Sequence, residues 1–438
     1  MRPRGYRPVV APTITHNDPQ CNNYLHHAAF ARDCAHLVDH LSVVDSPAQL
    51  ASPATIAATM TSNTCKQDES CEAADQRRVP TPANRLCLDY AAAADRLGAP
   101  VTPIVDIHTH INGSHAPRIY NRVRTLFGVE RIYSMTRLTD VATVREIMGD
   151  AIRFIAVPDF MSKNRRHAFQ EGYLEAIQAY HDLGSRIVKF WAAPRSVDYG
   201  VEVGEPGLLA LDNPWRIRAM DLAQSLGMMF MTHVSDPDTW FATKYTDTSR
   251  YGVKADQYVP LERLLDTYTA PWIAAHMGGW PEDLDFLDGL LDRHPNLHLD
   301  TSATKWMIRE ISKHPRSRFI EFLERWRGRV LFGSDIVVID GHLSGDPGDR
   351  PVGKLAANER EAFDLYTSRY FALRTMFETD YTGESPIADP DLAMVDPDRF
   401  DTMSAPALQG FDLPEDLLHS LYAGAAAQVV GAWELQSS

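Results

Sequence analysis

From about residue 101 onwards, short apolar runs alternate with longer stretches in which apolar and polar residues are mixed. The short runs are rich in Val, Ile, Phe and Met and carry few charges before their last residues, which is typical of strands buried on both faces of a parallel sheet. Eight such runs follow one another: PIVDIHTH, RIYSMTRL, IRFIAVPDF, RIVKFWAAP, MMFMTHVSD, WIAAHMGG, NLHLDTSA and RVLFGSDIVV. We therefore predict eight parallel strands.

The stretches between several of these runs have apolar residues three and four positions apart, as amphipathic helices do. Examples are RHAFQEGYLEAIQAYHDLG, PWRIRAMDLAQSLG and PEDLDFLDGLLDRHP. Eight strand-helix units predict an α/β fold of the TIM (β/α)8 barrel type over residues 100–438. The alternative, a doubly wound open sheet, would carry a Gly-rich phosphate turn after its first strand, and the sequence has none there.

Residues 1–99 lack this alternation and are predicted to be an N-terminal extension, partly disordered or helical. Helical patterns are visible only at 27–44 and 83–97. Met60 is an alternative start of the protein. The cysteines all lie in this segment without metal-ligand spacing, so we expect reduced thiols at Cys21, Cys34, Cys65, Cys71 and Cys87.

Composition and charge narrow the classes of partner. Apolar residues make up 44% and charged residues 23% of the chain, as in ordinary globular proteins. The net charge of −15 disfavours binding to nucleic acid or to anionic lipid. Neither a membrane-spanning apolar run nor a secretory signal is visible, so we expect a cytoplasmic protein with a small-molecule substrate and leave a homodimer open.

Ionisable residues stand at the ends of the predicted strands. In VDIHTH, the alternation of a strand puts Asp106, His108 and His110 on one face, where two imidazoles can share an ion, although such a pair can equally be satisfied by hydrogen bonds. Three further apolar runs end in an ionisable residue, namely His233, His276 and Asp335. In a barrel these positions meet at the carboxyl ends of the strands, where active sites lie.

This ordered set resembles the amidohydrolase superfamily, specifically the branch of aminocarboxymuconate semialdehyde decarboxylase and related amidohydrolases. The resemblance covers about residues 101–438 and is carried by DIHTH, MTHVSDP, AAHMGG, HPNLHLDTSA and VLFGSD. It implies a metal-dependent enzyme with one divalent ion, Zn²⁺ or another such as Mn²⁺. The implied ligands are His108, His110, His233 and Asp335.

The resemblance also implies catalytic roles. Asp335 is then a proton shuttle as well as a ligand, and His276 is a second catalytic group or a ligand of a second metal. Lys189 lies in the predicted fourth strand, where a carboxylated lysine bridges two ions in binuclear members of the superfamily. Many mononuclear members also carry a lysine near this point.

Other residues are candidates for contacts to the substrate or to the ligands. Arg195 has a guanidinium that can clamp a carboxylate, with a solvated loop arginine as the alternative. Asp106 is a candidate partner that fixes the tautomer of a ligand histidine, and Asp300 and Ser302 are expected to support the site. Aromatic candidates for a substrate wall are Trp191, Trp240, Phe241 and Tyr245.

Two long loops, about 237–260 and 336–358, follow the fifth and eighth strands and are candidate lids. The predicted function is hydrolysis of a small C–N or C–O substrate by a metal-activated water. The alternative is a nonoxidative decarboxylase of an aromatic or unsaturated carboxylic acid, which would use the same ligands. A noncatalytic barrel with a structural zinc would need a closed four-ligand site, which leaves His276 without a role.

Overall fold

A computed structural model of the chain describes residues 78–346 and 351–436. The predictions for Met60, for the helical pattern at 27–44 and for four of the cysteines lie outside the described residues. The fifth cysteine, Cys87, is a free thiol. The boundary between an extension and a barrel at residue 99 stays a prediction.

Each of the eight predicted apolar runs contains a strand, and neighbouring strands pair in parallel. The eighth run contains two short strands, separated by residues 332–335. A small antiparallel pair follows near the C-terminus. The strands are β1 (Ile104–Ile111), β2 (Val129–Ser134), β3 (Ile152–Phe154), β4 (Ile187–Trp191), β5 (Met229–His233), β6 (Trp272–Ala274), β7 (Leu297–Asp300), β8 (Val330–Leu331), β9 (Ile336–Val338), β10 (Thr382–Glu384) and β11 (Ala407–Gln409).

The parallel strands form two sheets with the orders β3-β2-β1-β9 and β4-β5-β6-β7-β8. Backbone hydrogen bonds join these sheets at both seams. Between β3 and β4, Ala156 N–H donates to Ile187 O (2.8 Å) and Lys189 N–H donates to Ala156 O (2.9 Å). Between β8 and β1, Ile107 N–H donates to Phe332 O (3.0 Å). The strands therefore follow one another around a ring, as the predicted (β/α)8 barrel requires.

Alternation along the strands separates two apolar layers. In β5, Met229 and Met231 belong to a cluster inside the ring, whereas Phe230 between them packs outward under the helices. The C-terminal segment closes the inner cluster with Val429 and Val430. Because the side-chain period is two, His233 continues the inward row of Met229 and Met231 at the carboxyl end of β5.

Helices cover the outside of the strands. Several begin with a capping side chain that accepts a hydrogen bond from a backbone N–H. Asn213 accepts from Trp215 N–H (2.9 Å), and Asp283 accepts from Phe286 N–H (2.8 Å). The helices are α1 (Tyr90–Leu97), α2 (Ala116–Leu126), α3 (Val141–Met148), α4 (Arg165–Phe169), α5 (Glu171–Asp182), α6 (Ser196–Glu202), α7 (Pro214–Ser225), α8 (Asp238–Thr243), α9 (Thr248–Tyr251), α10 (Tyr258–Thr267), α11 (Leu284–Arg293), α12 (Thr304–Ile311), α13 (Arg316–Arg325), α14 (Glu359–Glu378), α15 (Asp391–Val395), α16 (Glu415–His419) and α17 (Ala432–Gln436).

The described part of the predicted extension packs against α14. Tyr90 of α1 is fully buried, and its ring meets that of Phe371 edge-on at 5.5 Å. Asn84 donates a side-chain hydrogen bond to Asp364 at 3.1 Å. Among residues 78–346 and 351–436, none of the helices has the length and hydrophobicity needed to cross a lipid bilayer.

Candidate metal centre

A cavity of about 300 Å³ opens at the carboxyl ends of strands β5 to β9. Its wall contains three of the predicted site residues, His233, His276 and Asp335. The segment after β5 contributes Trp240, and the first turns of α12 and the middle of α14 also line the cavity. The cavity therefore lies where the sequence predicts an active site.

His108, His110 and Asp335 lie together beside this cavity. Asp335 Oδ1 is 3.2 Å from His110 Nε2 and 3.5 Å from His108 Nε2. Two tetrahedral ligands that each lie about 2.1 Å from a zinc ion are about 3.4 Å apart. The donor atoms of the three residues therefore fit one shared divalent ion.

The backbone around Asp335 brings its carboxylate to the histidines. Asp335 has a left-handed conformation with a φ of 56°, and its N–H donates to His108 O at 2.8 Å. A Cβ on the nearby Gly333 would lie 3.1 Å from the Cβ atoms of His108 and Ser302. The absence of a side chain at Gly333 thus allows the strand to pass close to its neighbours.

Asp106 holds the backbone of two segments through its carboxylate. It accepts hydrogen bonds from the N–H groups of His108 (3.1 Å) and Ser334 (3.1 Å) and from the hydroxyls of Ser334 (2.6 Å) and Tyr370 (2.8 Å). Burial raises the pKa of Asp106 to about 7, although these hydrogen bonds oppose the rise. The role of Asp106 in fixing a histidine tautomer stays a prediction.

Asp300, at the end of β7, lies against the ring of His108. Its Oδ2 lies 2.9 Å from His108 Nδ1, and its Oδ1 accepts the N–H of His276 at 2.9 Å. Burial alone would raise the pKa of Asp300, but the charge and hydrogen bond of His108 outweigh it and hold the pKa well below its usual range. An ionised Asp300 keeps the proton of His108 on Nδ1 and leaves Nε2 free for an ion.

His276 is buried and also has a left-handed backbone, with a φ of 60°. Its Nδ1 lies 2.7 Å from Ser302 Oγ, and its ring is 5.1 Å from that of His108. Burial, followed by the charge of His233, holds the pKa of His276 well below its usual range, so the ring is neutral near pH 7. His108, His276 and Asp300 form a second set of donors close enough to share an ion.

His233 lines the cavity and is hydrogen-bonded to the segment that follows β5. Its Nε2 lies 3.0 Å from Asp236 Oδ1, and its ring is 4.4 Å from that of His276. Asp236 is held in turn by the hydroxyl of Tyr245 at 2.7 Å. Among the described residues, His233 belongs to neither group of donors that could share an ion.

Lys189 of β4 lies at the site, as its place in the predicted fourth strand indicated. Its Nζ lies 3.4 Å from His108 Nε2, and the side chain is buried inside the ring. Burial lowers the pKa of Lys189 to about 8, against the opposing charges of Asp300 and Asp335. The bridging role of Lys189 stays a prediction.

Two predicted substrate contacts lie elsewhere. Arg195 is exposed just before α6 and is not part of the cavity wall. Trp191 packs edge-on against Phe160 (6.0 Å) and Tyr199 (5.1 Å), also away from the cavity. Of the aromatic candidates, Trp240 lines the cavity, whereas Phe241 and Tyr245 do not.

The sequence patterns did not identify the positive side chains in the cavity wall. Lys305 and Arg309 lie on α12, and Arg369 lies on α14. In an amphipathic helix, a cation that faces a cavity has the same spacing as one that faces solvent. The position of Lys305 in the first turn after β7 was the one available signal, because that turn opens at the carboxyl end of the strand.

Comparison with known proteins identifies relatives of the chain. The sequence model of a family described as amidohydrolase matches residues 115–363, which is more than half of the chain. The matched range contains Lys189, His233, His276 and Asp335 and begins after His108 and His110. No curated protein matches the chain.

Three solved structures illustrate the structural likenesses. A protein of Agrobacterium tumefaciens in its apo form has 11% identity and a TM-score of 0.36, covering 62% of this chain and 90% of its own. A probable 2-pyrone-4,6-dicarboxylic acid hydrolase of Acinetobacter baumannii, with citric acid bound, has 12% identity and a TM-score of 0.34, covering 60% and 99%. An amidohydrolase of Burkholderia multivorans with bound HEPES has 13% identity and a TM-score of 0.37, covering 75% and 99%.

Proposed function

We propose a metal-dependent hydrolytic function for this chain, which belongs to the amidohydrolase family. The substrate is a small molecule with a C–N or C–O bond to be cleaved. The observation that carries the proposal is the cluster of His108, His110 and Asp335, whose donor atoms have the spacing of ligands around one divalent ion. Two nitrogen donors and one carboxylate suit Zn²⁺ and also accept Mn²⁺.

A bound zinc ion would supply Lewis-acid activation of water, whose pKa it lowers to about 7. The residues of the chain supply the remaining functions. Asp300 fixes the orientation of His108 through Nδ1. Asp335, at 29% exposure, is the donor residue most open to the cavity, and its carboxylate can take a proton from water and transfer it to a leaving group.

His276 has a hydrogen-bonding pattern that defines its chemistry. The Ser302 hydroxyl donates a hydrogen bond to Asp300, so Ser302 Oγ accepts a hydrogen bond from His276 Nδ1–H. In a neutral ring Nε2 then carries a lone pair and no proton. We infer that His276 acts as a base or as a ligand, because a group that polarises a carbonyl would have to donate an N–H.

A nonoxidative decarboxylase would use the same donors. The observation that favours it is the presence of two cations without a salt bridge, Lys305 and Arg369, in the cavity wall, because a substrate that loses carbon dioxide must be a carboxylic acid. The two reactions differ in their products. A substrate screen on metal-loaded protein that follows hydrolysis and carbon dioxide release in parallel separates them.

Metal content is the first test of the proposal. Purified full-length protein is expected to contain about one equivalent of a divalent transition metal, and His108→Ala with His110→Ala is expected to remove it because two donors are lost. The matched control, His167→Ala with His181→Ala, changes two histidines outside the cavity wall and is expected to keep the metal. Full metal content in the first variant would contradict the proposed centre.

A further inference from the structure

Two cations in the wall of the cavity have no ionic partner. Lys305, in the first turn of α12, and Arg369, on α14, both line the cavity. Among the described residues, neither side chain forms a salt bridge or hydrogen bond within the protein, and Nη1 of Arg369 is buried without a hydrogen-bond partner. Such groups are costly in a folded protein unless a ligand satisfies them.

The carboxylates of the same wall are already engaged. Asp389 and Asp391 pair with Arg309, and Asp391 also accepts the indole N–H of Trp240 at 2.7 Å. Asp236 is bonded to His233 and to Tyr245. Asp335 belongs to the proposed metal centre. The charge that remains without a partner in the cavity is therefore positive.

The surroundings of both cations within the protein disfavour their charge. Burial, and then the nearby charge of Arg369, lower the pKa of Lys305. Burial lowers the pKa of Arg369 to about 10, although Tyr90, Asp335 and Asp389 oppose this. Lys305 also lies at the N-terminal end of α12, where the helix dipole favours negative charge. An anion beside Lys305 would compensate all of these effects.

We propose that Lys305 and Arg369 form a subsite that binds a carboxylate group of the substrate, next to the metal centre. The proposal rests on the proposed function, since it names the class of substrate as a small carboxylic acid. The planar guanidinium of Arg369 matches a carboxylate with two parallel hydrogen bonds. Trp240 and Trp306 lie in the same wall and provide flat apolar surface for the body of a small acid.

Binding of matched probes tests the subsite. Isophthalate, its monoamide and its diamide have nearly the same shape and differ in charge, and glutarate is a flexible diacid. Their affinities are measured by calorimetry on full-length, metal-loaded protein. The wild type is expected to bind a diacid more tightly than the diamide. Lys305→Met and Arg369→Met are each expected to weaken diacid binding by about 10- to 100-fold, the worth of a charge-assisted hydrogen bond, with little effect on the diamide.

Controls separate charge from folding. Arg360→Met removes the same charge from an exposed position on the same helix and is expected to leave diacid affinity unchanged. Arg369→Lys keeps the charge and is expected to retain part of the affinity. Without ligand, the melting temperatures of the Met variants are expected to equal or exceed that of the wild type, because a partly buried charge without a partner is removed.

The outcomes distinguish this proposal from the proposed function. The subsite would be overturned if the wild type binds neither diacid more tightly than the diamide. It would also be overturned if the Met variants keep the wild-type affinity for diacids. Either result would count even if the protein contains metal and hydrolyses a substrate. A marked fall in the ligand-free melting temperature would mean that these cations support the fold, which also contradicts the subsite. If the wild type hydrolyses no substrate but the Met variants lose diacid binding, the result would support the subsite and count against the hydrolytic function.

Discussion

Asp335 combines a strained backbone with a carboxylate that is held ionised. Burial alone would raise the pKa of Asp335, but the hydrogen bond from His110 and the charges of the neighbouring histidines hold it well below its usual range. A left-handed conformation costs a residue other than glycine about 1 kcal/mol or more. The surrounding hydrogen bonds maintain this conformation and aim the side chain at His108 and His110.

Asp335→Asn tests the proton-transfer role of this carboxylate. The amide keeps an oxygen ligand and the shape of the side chain but cannot accept a proton near neutral pH. Turnover is expected to fall at least about 100-fold, the lower limit for a general acid-base group, while metal content falls much less. The exposed Asp398→Asn is the control. Near-normal turnover in Asp335→Asn would contradict the role.

Asp300→Asn tests the support given to His108. The variant loses the negative charge that holds the Nδ1 proton, so His108 Nε2 becomes a weaker donor. Metal affinity is expected to fall about 10- to 100-fold, as measured by competition with a chelator. Asp285→Asn, at an exposed site, is expected to leave affinity unchanged. An unchanged affinity in Asp300→Asn would show that the carboxylate is not needed for metal binding.

The alternation of the strand was sufficient to predict that His108 and His110 lie at one site, because side chains two residues apart on a strand point to the same face. It could not determine the ring orientation of His233, which depends on a hydrogen bond to Asp236 in the following loop. The partnership of His108 with Asp300 joins strands 192 residues apart. Contacts of this kind follow from the barrel geometry and are invisible in local patterns.

At the level of elements, the eight strands follow from the sequence, but the interruption of the eighth does not. RVLFGSDIVV has the apolar character of one continuous strand, whereas the structure has β8 and β9 separated by residues 332–335. The interruption depends on two interactions with other segments, the bonds of Asp106 to Ser334 and of Asp335 N–H to His108 O. Neither bond leaves a periodic signal in the sequence.

Helix α1 gives a prediction about where the folded unit begins. A protein that starts at residue 100 lacks α1, and therefore exposes the surface of α14 that Tyr90 covers. Burial of a large side chain contributes about 1.5–3 kcal/mol. We expect this protein to be less stable than one that starts at residue 78 by at least about 2 kcal/mol in urea unfolding. Equal stability would place the boundary at residue 99, as the sequence suggests.

For the whole molecule, His298 predicts how stability depends on pH. Burial, and then the charge of Arg329, lower the pKa of His298 from 6.5 to about 4. Between these values the unfolded chain binds a proton that the folded protein does not, so the contribution to stability is present above about pH 6.5 and is lost as the pH falls. From pH 7 to pH 5 this loss amounts to up to about 2 kcal/mol.

Urea unfolding of the wild type and His298→Gln at the two pH values measures this contribution. The variant is expected to lose less stability between pH 7 and pH 5 than the wild type does. His167→Gln, at a side chain that is 48% exposed, is the control and is expected to behave like the wild type. If all three proteins lose the same amount, the acid sensitivity comes from other groups.

The pairing of β1 with β9 has a consequence for biosynthesis. Asp106 of β1 and Ser334, which precedes β9, are hydrogen-bonded and 228 positions apart, so a ribosome adding about 5–20 residues per second needs about 10–45 s to travel between them. During that time the edge of β1 that will pair with β9 is open, and an open strand edge can recruit other chains. His108 and His110 have already been synthesised, but the carboxylate of Asp335 has not. Loading of the proposed metal centre would therefore be a late step, and a nascent chain that stalls before residue 335 is a candidate for aggregation and for capture by chaperones.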